Sequence, residues 1–530
     1  MKKHTVLAIV ILLTAAFQAF SQTLYWENPM EASDPSLDCR FPTTVSGTDK
    51  KALTSAAFWQ EIDKNNHQIY LSATSTTDTV NWTTPVRFAG PFFYSGDIPV
   101  IYSAAVNNKG NIVVAALSGI NEITVYTSTD AVNFKETKLP AQELPLVGPR
   151  IFSTSSGSFI LFATLAKEES FSLVYSTSRD GKTWSAFNPF NFSYPNTSNP
   201  LVPYMTPVKG GDLLVFQAHY SSGNRYSFQL FSSKTTDNGK TWSAPIMITQ
   251  SMDDFHNYNN QRPVAISDGT NIYLAWERSL YSSVGTSIYV SSLNNDGSLG
   301  MDANSISITN SCLNPVLFSY NGSIYLLWAD SETKNNRAYL SKRLELFWDD
   351  PSVMINGVDS SVYPVTANRE KELGFIWQNK TNASSFQIQR LVKDASSPAP
   401  LIIPQTFEDG KGGNLDHISA IIQEGTDSSG VKGFSVLWTN DPNAEPENTI
   451  TNLPEETLIE GDIPEDGFWY FKVKQVDYSN NWSKSAIVSY RKDTVAPKAP
   501  KIKPIELDEN NLSTSNTFSI EWLPDPEDND

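Results

Sequence analysis

The sequence predicts an all-β molecule, a ring of small antiparallel sheets followed by a β-sandwich, and three observations carry that expectation. Apolar residues make up 40% of the 530 and charged residues 18%, too much apolar material for disorder and enough for several cores. Aromatics reach 12% while 27 Gly and 31 Pro punctuate the chain, so aromatic and β-branched runs are cut by turn residues, which favours strands over helices. A proline followed by a short apolar strand also recurs, at Phe41-Pro42, Ile98-Pro99, Gly148-Pro149, Thr206-Pro207, Arg262-Pro263, Asn314-Pro315 and Tyr363-Pro364. Such a period, on the order of fifty residues, marks a repeat architecture.

The chain opens on Lys2-Lys3, an apolar run from Val6 to Phe17, and Ala19-Phe20-Ser21. This basic, hydrophobic, small-residue order predicts a secretory signal peptide over residues 1–21 and a product exported to the periplasm or the cell surface. Neither a lipid-attachment Cys after that run nor a later stretch of roughly 18 apolar residues is present, so no lipid anchor or membrane span is expected. Cys39 and Cys312 are the only cysteines, and an oxidising compartment allows either a bridge or two buried thiols.

Residues 22–397 hold the repeat. In the clearest unit Pro263–Ser267 reads as a strand, Asp268-Gly269-Thr270-Asn271 as a turn, Ile272–Trp276 as a second strand, Ser287–Ser291 as a third, and Asn295-Asp296-Gly297 as the turn into a fourth. The second strand is a continuous apolar run in unit after unit, as in Phe159–Phe162, Leu213–Phe216, Ile324–Trp328 and Leu373–Trp377, which means a strand covered on both faces. One four-stranded sheet cannot cover both its own faces, but sheets arranged radially cover one another. The expectation is therefore a seven-bladed β-propeller, alternatively a six-bladed one with an extra unit. The last unit lacks an outer strand, and Leu24-Tyr25-Trp26 is expected to supply it and close the ring.

A second motif falls between the third and fourth strands: Ser178-Arg179-Asp180-Gly181-Lys182-Thr183-Trp184 and Thr236-Asp237-Asn238-Gly239-Lys240-Thr241-Trp242, with weaker copies around Asp130 and Asp78. The Asp carboxylate suits backbone N–H groups of a tight hairpin, Gly takes positive φ, and Trp plugs the turn. These residues resemble the Asp-box (BNR) repeat of the sialidase superfamily of propellers. In that family the boxes lie on the outer rim, so the resemblance implies structural roles for Asp78, Asp130, Asp180, Trp184, Asp237 and Trp242. Turns within strand pairs one-two and three-four share one face; loops joining strands two to three, and four to the next unit, share the other, where a sialidase places its sugar.

The resemblance further implies three arginines gripping a carboxylate, a Tyr paired with Glu, and an Asp acid/base. Arg40-Phe41-Pro42 resembles the family's Arg-Ile-Pro motif, but Tyr70–Ser75, where a second arginine is expected, contains none. No catalytic residue is assigned, and a non-enzymatic binding protein for a glycan or protein ligand is the leading expectation; a sialidase-type hydrolase and an envelope scaffold are the alternatives. Candidate ligand residues are Arg40, Arg150 and Arg262 beside the repeat prolines, with Phe190, Tyr194, Phe255, His256, Tyr258, Arg278 and Tyr281 in the longer loops. Asp63, Glu61 and Glu277 are the conceivable carboxylates of such a catalytic set, and each reads first as a solvated loop charge. The histidines share no metal-ligand spacing, so neither metal nor cofactor is expected. A net charge of −18 opposes nucleic-acid binding.

That charge is unevenly spread: residues 401–530 hold 24 acidic against 10 basic side chains, net −14. Ser396-Ser397-Pro398-Ala399-Pro400 reads as a stiff linker, followed by short alternating strands at His417–Gln423, Gly433–Thr439, Phe468–Val476 and Ala486–Tyr490. The stretch from Asp466 to Ser483 resembles fibronectin type III-like modules of bacterial surface proteins, so residues 398–494 are expected to form one such sandwich. Residues 495–530 read as the opening of a second, incomplete one.

Overall fold

In the computed structural model the described residues are 24–47, 55–167, 170–192, 201–222, 225–249, 258–280, 285–331, 336–356, 358, 361–367, 371–381, 385–496, 498–499, 501–504, 510, 516 and 520–523. The chain divides into two compact units, Met1–Lys393 and Asp394–Asp530, and every regular element among the described residues is a strand.

The first unit contains seven four-stranded antiparallel sheets. They begin with the strands Asp38–Val45, Tyr102–Val106, Leu146–Ser153, Pro203–Val208, Tyr258–Ser267, Cys312–Tyr320 and Val362–Ala367. Each first strand pairs with the second, the second with the third and the third with an outer strand, which is two to five residues long except for Val86–Phe93 in the first sheet. First strands of successive sheets lie against one another, and that of the seventh lies against that of the first. The apolar second strands are the filling between sheets. Ser55–Asp63 is buried over eight consecutive positions, because one alternating set of side chains faces the preceding sheet and the other the following one. Phe58 packs toward the second sheet, while Trp59 packs against Val365, Ile376 and Ile388 of the seventh. Sheets packed face to face around a hub of first strands form a β-propeller.

The closing strand lies slightly further along than Leu24-Tyr25-Trp26. Met30–Glu31 pairs with Arg390 and Gln389 as the outer strand of the seventh sheet, while Trp26 bridges to Lys393 and sets its ring 5.0 Å from Phe375, edge-on. Two residues of strand give little sequence signal. In the fourth unit Pro203, opposite Phe216, stands where the proline repeat falls, and Pro207 lies at the far end of the strand. Cys39 and Cys312 are free and buried in different inter-sheet cores.

Four first strands share a further device. Phe41, Gly148, Arg262 and Asn314, each directly before a proline, adopt positive φ (53°, 60°, 49° and 57°) at a β-bulge. For the three non-glycine residues this conformation costs about 1–2 kcal/mol, and in each the strained residue's N–H is held by the preceding sheet. Phe41 N donates to Gln378 Oε1 at 2.8 Å, Arg262 N to Gln217 Oε1 at 2.8 Å and Asn314 N to Glu277 Oε1 at 2.7 Å. In the second sheet Ile101 N donates to Gln60 Oε1 at 2.8 Å, and Gln60 Nε2 returns a bond to Pro99 O. These four buried side chains latch four of the seven sheets to the next in the ring.

In the second unit the three-stranded sheet Leu401–Pro404, His417–Gln423, Leu458–Asp462 packs on a four-stranded sheet of Gly412–Gly413, Ala486–Lys492, Gly467–Asp477 and Val431–Thr439. Ile402, Ile422, Phe434, Phe471, Val473 and Val488 form their common core, a β-sandwich. Lys501–Pro504 and Ile520–Leu523 pair as a separate two-stranded ribbon.

Candidate ligand site at the ring centre

First strands line the hub, and three of their polar or charged residues beside the repeat prolines are linked electrostatically. Arg150, Arg262 and Tyr363 come from the third, fifth and seventh sheets, and Arg150 feels both of the others electrostatically; Tyr102 and Tyr204, from the second and fourth, feel Tyr363. Arg150 is solvent-exposed, and partial desolvation by the protein around it lowers its pKa, with Arg262's like charge adding and Tyr363 opposing. Burial pushes the Tyr204 hydroxyl up to about 12 and Tyr102 well above its ordinary value. Tyr102 is anchored, donating to Phe41 O at 2.7 Å.

The two arginines differ in their partners. Arg262 Nη1 reaches Glu277 Oε1 at 3.3 Å and Asn314 Oδ1 at 3.1 Å. Arg150 has neither hydrogen bond nor ion pair with any described residue. Glu277 is only 6% exposed, and burial raises its pKa against the opposing pull of Arg262. Its position on the second strand Ile272–Leu280 makes it a buried strand carboxylate, not the solvated loop charge expected. Glu61 is likewise buried, accepting from Arg87 Nε at 2.7 Å and from Ser72. Asp63 is the exposed one, capping its own turn through the N–H groups of Asn65 and Asn66.

The remaining candidates scatter. Arg40 already holds a carboxylate, Asp38 Oδ2 at 3.0 Å from Nη2, and lies 4.4 Å over the Phe386 ring. Arg278 is stacked between Tyr258 (3.7 Å) and Tyr289 (4.7 Å). Phe190 is a core residue, edge-on to Phe216 and Trp242. Tyr194, Phe255, His256 and Tyr281 lie outside the described residues.

The hairpins between third and fourth strands are built from their own residues. Asp180 Oδ1 accepts from Lys182 N and Thr183 N at 2.9 and 3.0 Å, and Trp184 Nε1 donates to Gly181 O at 2.9 Å. Asp237 accepts from Thr241 N and Oγ1, Asp130 from Val132 N and Asn133 N, and Asp78 from Val80 N and Asn81 N. These bonds hold the four carboxylates below their ordinary pKa, against a desolvation that raises it. Trp242 packs on Phe162 and Tyr175. Two shallow grooves of about 430 and 420 Å³ flank the third and fourth sheets' hairpins. Neither is lined by Arg150, Arg262 or Tyr363.

The latch residues Gln60, Gln217, Glu277 and Gln378 escape a reading of motifs. Their signal is an aromatic followed by Gln or Glu near the end of the second strand: Trp59-Gln60, Phe216-Gln217, Trp276-Glu277, Trp377-Gln378. In the second unit Asp394, Asp427 and Asp477 bring carboxylate oxygens within 4.8 Å of one another, two of them buried; Ser479 and Asn481 donate to them, and desolvation raises Asp477.

No protein-family model matches the chain, and no curated protein does. Among solved structures it is similar to the polysaccharide lyase Uly1 (11% identity, TM-score 0.46, 70% of this chain and 99% of that one). It is also similar to a copper-bound fungal alcohol oxidase (11%, TM-score 0.44, 88% and 99%) and to NanB solved with Optactamide (12%, TM-score 0.36, 72% of each). Likenesses this loose carry no argument about activity.

Proposed function

We propose that this protein is an exported, non-enzymatic glycan-binding propeller of seven blades that takes an acidic saccharide at the ring centre, its sandwich and C-terminal ribbon being fibronectin type III-like spacers. Arg150, which has no acceptor among the described residues, carries the reading. An exposed guanidinium that feels the like charge of a second arginine and has its donors free of those residues is open to an anion, and a carboxylate or sulfate seated there relieves the repulsion. Tyr204 and Tyr363, both part-exposed, offer apolar faces and hydroxyls of the kind that stack on and hydrogen-bond to sugar rings. Export rests on the N-terminal basic and apolar pattern, and seven blades on the seven sheets in mutual contact.

A glycan array probed with the full chain tests this: uronate-, sialate- or sulfate-bearing glycans are expected to bind, and their uncharged counterparts are not. Binding to neutral glycans alone rejects the acidic-ligand reading. Sialidase-type hydrolysis is the second reading, favoured by a carboxylate of raised pKa beside Arg262. Turnover of a fluorogenic sialoside by the full chain would establish it.

A further inference from the structure

Glu277 departs from the other three latch residues in a way that structure alone does not require. Gln60, Gln217 and Gln378 hold the next sheet's N–H with a neutral carboxamide oxygen, and Glu277 performs the same task for Asn314 with Oε1. A glutamine at position 277 would keep that bond and avoid burying a charge. Two things set the position apart. The same Oε1 faces Arg262 Nη1, which also reaches Asn314 Oδ1, so the latch here touches the ring-centre cluster. The other oxygen, Oε2, takes no hydrogen bond from any described residue and keeps contact with solvent in a side chain only 7% exposed.

We infer that Glu277 is a specificity-determining residue of the ring-centre site, accepting through Oε2 a hydrogen bond from a hydroxyl of the same saccharide whose acidic group lies on Arg150. The inference rests on the proposed function and adds to it a demand on the ligand. A ligand that covers this acceptor without supplying a donor strips its water and leaves it unpaired, so a site of this kind rejects an analogue that lacks the donor far more strongly than it rewards the correct one. The carboxylate also fixes Arg262. With Nη1 held by Glu277 and Asn314, the guanidinium keeps one orientation, and Arg150 is left as the cation whose hydrogen bonds are all available to the anion.

The test uses two small carboxylates of similar ring size, D-glucuronate and the hydroxyl-free cyclohexanecarboxylate, titrated calorimetrically against the full chain, Glu277→Gln and Arg150→Ala. The parent is expected to prefer glucuronate by at least tenfold. Glu277→Gln, which keeps the latch to Asn314, is expected to lower that preference at least fivefold without a lower melting temperature, and Arg150→Ala to weaken both probes. If the parent binds both probes and Glu277→Gln leaves their ratio unchanged, the role of Glu277 is overturned and the anion site stands. If the parent binds neither probe, the anion site and the role of Glu277 fall together. A sharp fall in melting temperature for Glu277→Gln would show that the carboxylate serves the latch, again overturning the inference.

Discussion

Glu277 is 6% exposed with its pKa raised from an ordinary value of 4.5, burial being the largest cause and Arg262 opposing it. Below the unfolded carboxyl value, about 4.3, it is protonated in both states and imposes no penalty; as pH rises through the higher folded value, the folded protein must bury the charge and loses stability. Glu277→Gln is therefore expected to melt above the parent at pH 7, with the two curves converging below about pH 4, as scanning calorimetry across pH would show. A melting point that drops for the variant at pH 7 contradicts the assignment. Gly181 gives a second test at this scale. It has φ of 77°, and an added Cβ would meet Val113 Cγ2 at 2.6 Å. Gly181→Ala combines the strain of positive φ with overpacking, and is expected to cost about 2–4 kcal/mol in denaturant unfolding. The corresponding residues Thr79 and Ala131 adopt φ of 59° and 57° without glycine. That is why only two of the four hairpins are conspicuous in the sequence, though all four close on an Asp in the same way.

The sheets were legible because continuous apolar second strands admit only one physical reading, burial on both faces. Their register to one another was not, since the contacts that set it are single hydrogen bonds between residues far apart in the chain. Gln217 and Gln60 test those latches separately. Replacing either with leucine leaves a neighbouring sheet's N–H without its acceptor, for an expected loss of about 1–3 kcal/mol. The functional outcomes should differ: Gln217→Leu releases the amide of Arg262 and is expected to weaken binding of acidic glycans. Gln60→Leu releases the amide of Ile101 in the second sheet and should leave binding intact. Equal effects on binding would mean that the latches act only through general stability. Arg40 shows the opposite limit of sequence reading. Its Arg-Phe-Pro setting resembles a ligand-binding motif, whereas Asp38, two residues earlier in the same strand, already occupies its guanidinium.

At the scale of the whole first unit, the ring closes because a strand from the start of the chain completes the last sheet. Met30–Glu31 and the Trp26 bridge join the N-terminal segment to Phe386–Val392, and the first and seventh sheets share the core of Cys39, Trp59 and Ile376. Removing residues 24–31 is expected to expose the outer edge of the seventh sheet and to lower the melting temperature by several degrees without abolishing the other six sheets; hydrogen exchange should show protection lost first in Phe386–Val392. Uniform loss of protection would instead mark the ring as one cooperative unit. Repeat, strand order and closure were each accessible from the sequence. The ring-centre cluster was accessible only in part, because Arg150, Arg262 and Tyr363 lie in three different sheets and meet only once the ring is closed.

That meeting is also where the account is most exposed to refutation. The direct measurement is calorimetric titration of the full chain and of Arg150→Ala with a galacturonate oligosaccharide and its neutral galactose counterpart, at low and high salt. The account predicts saturable one-to-one binding of the acidic oligosaccharide, weakened by salt and at least tenfold weaker in Arg150→Ala, with no binding of the neutral one. Undiminished binding by Arg150→Ala, or equal binding of the two oligosaccharides, would contradict it.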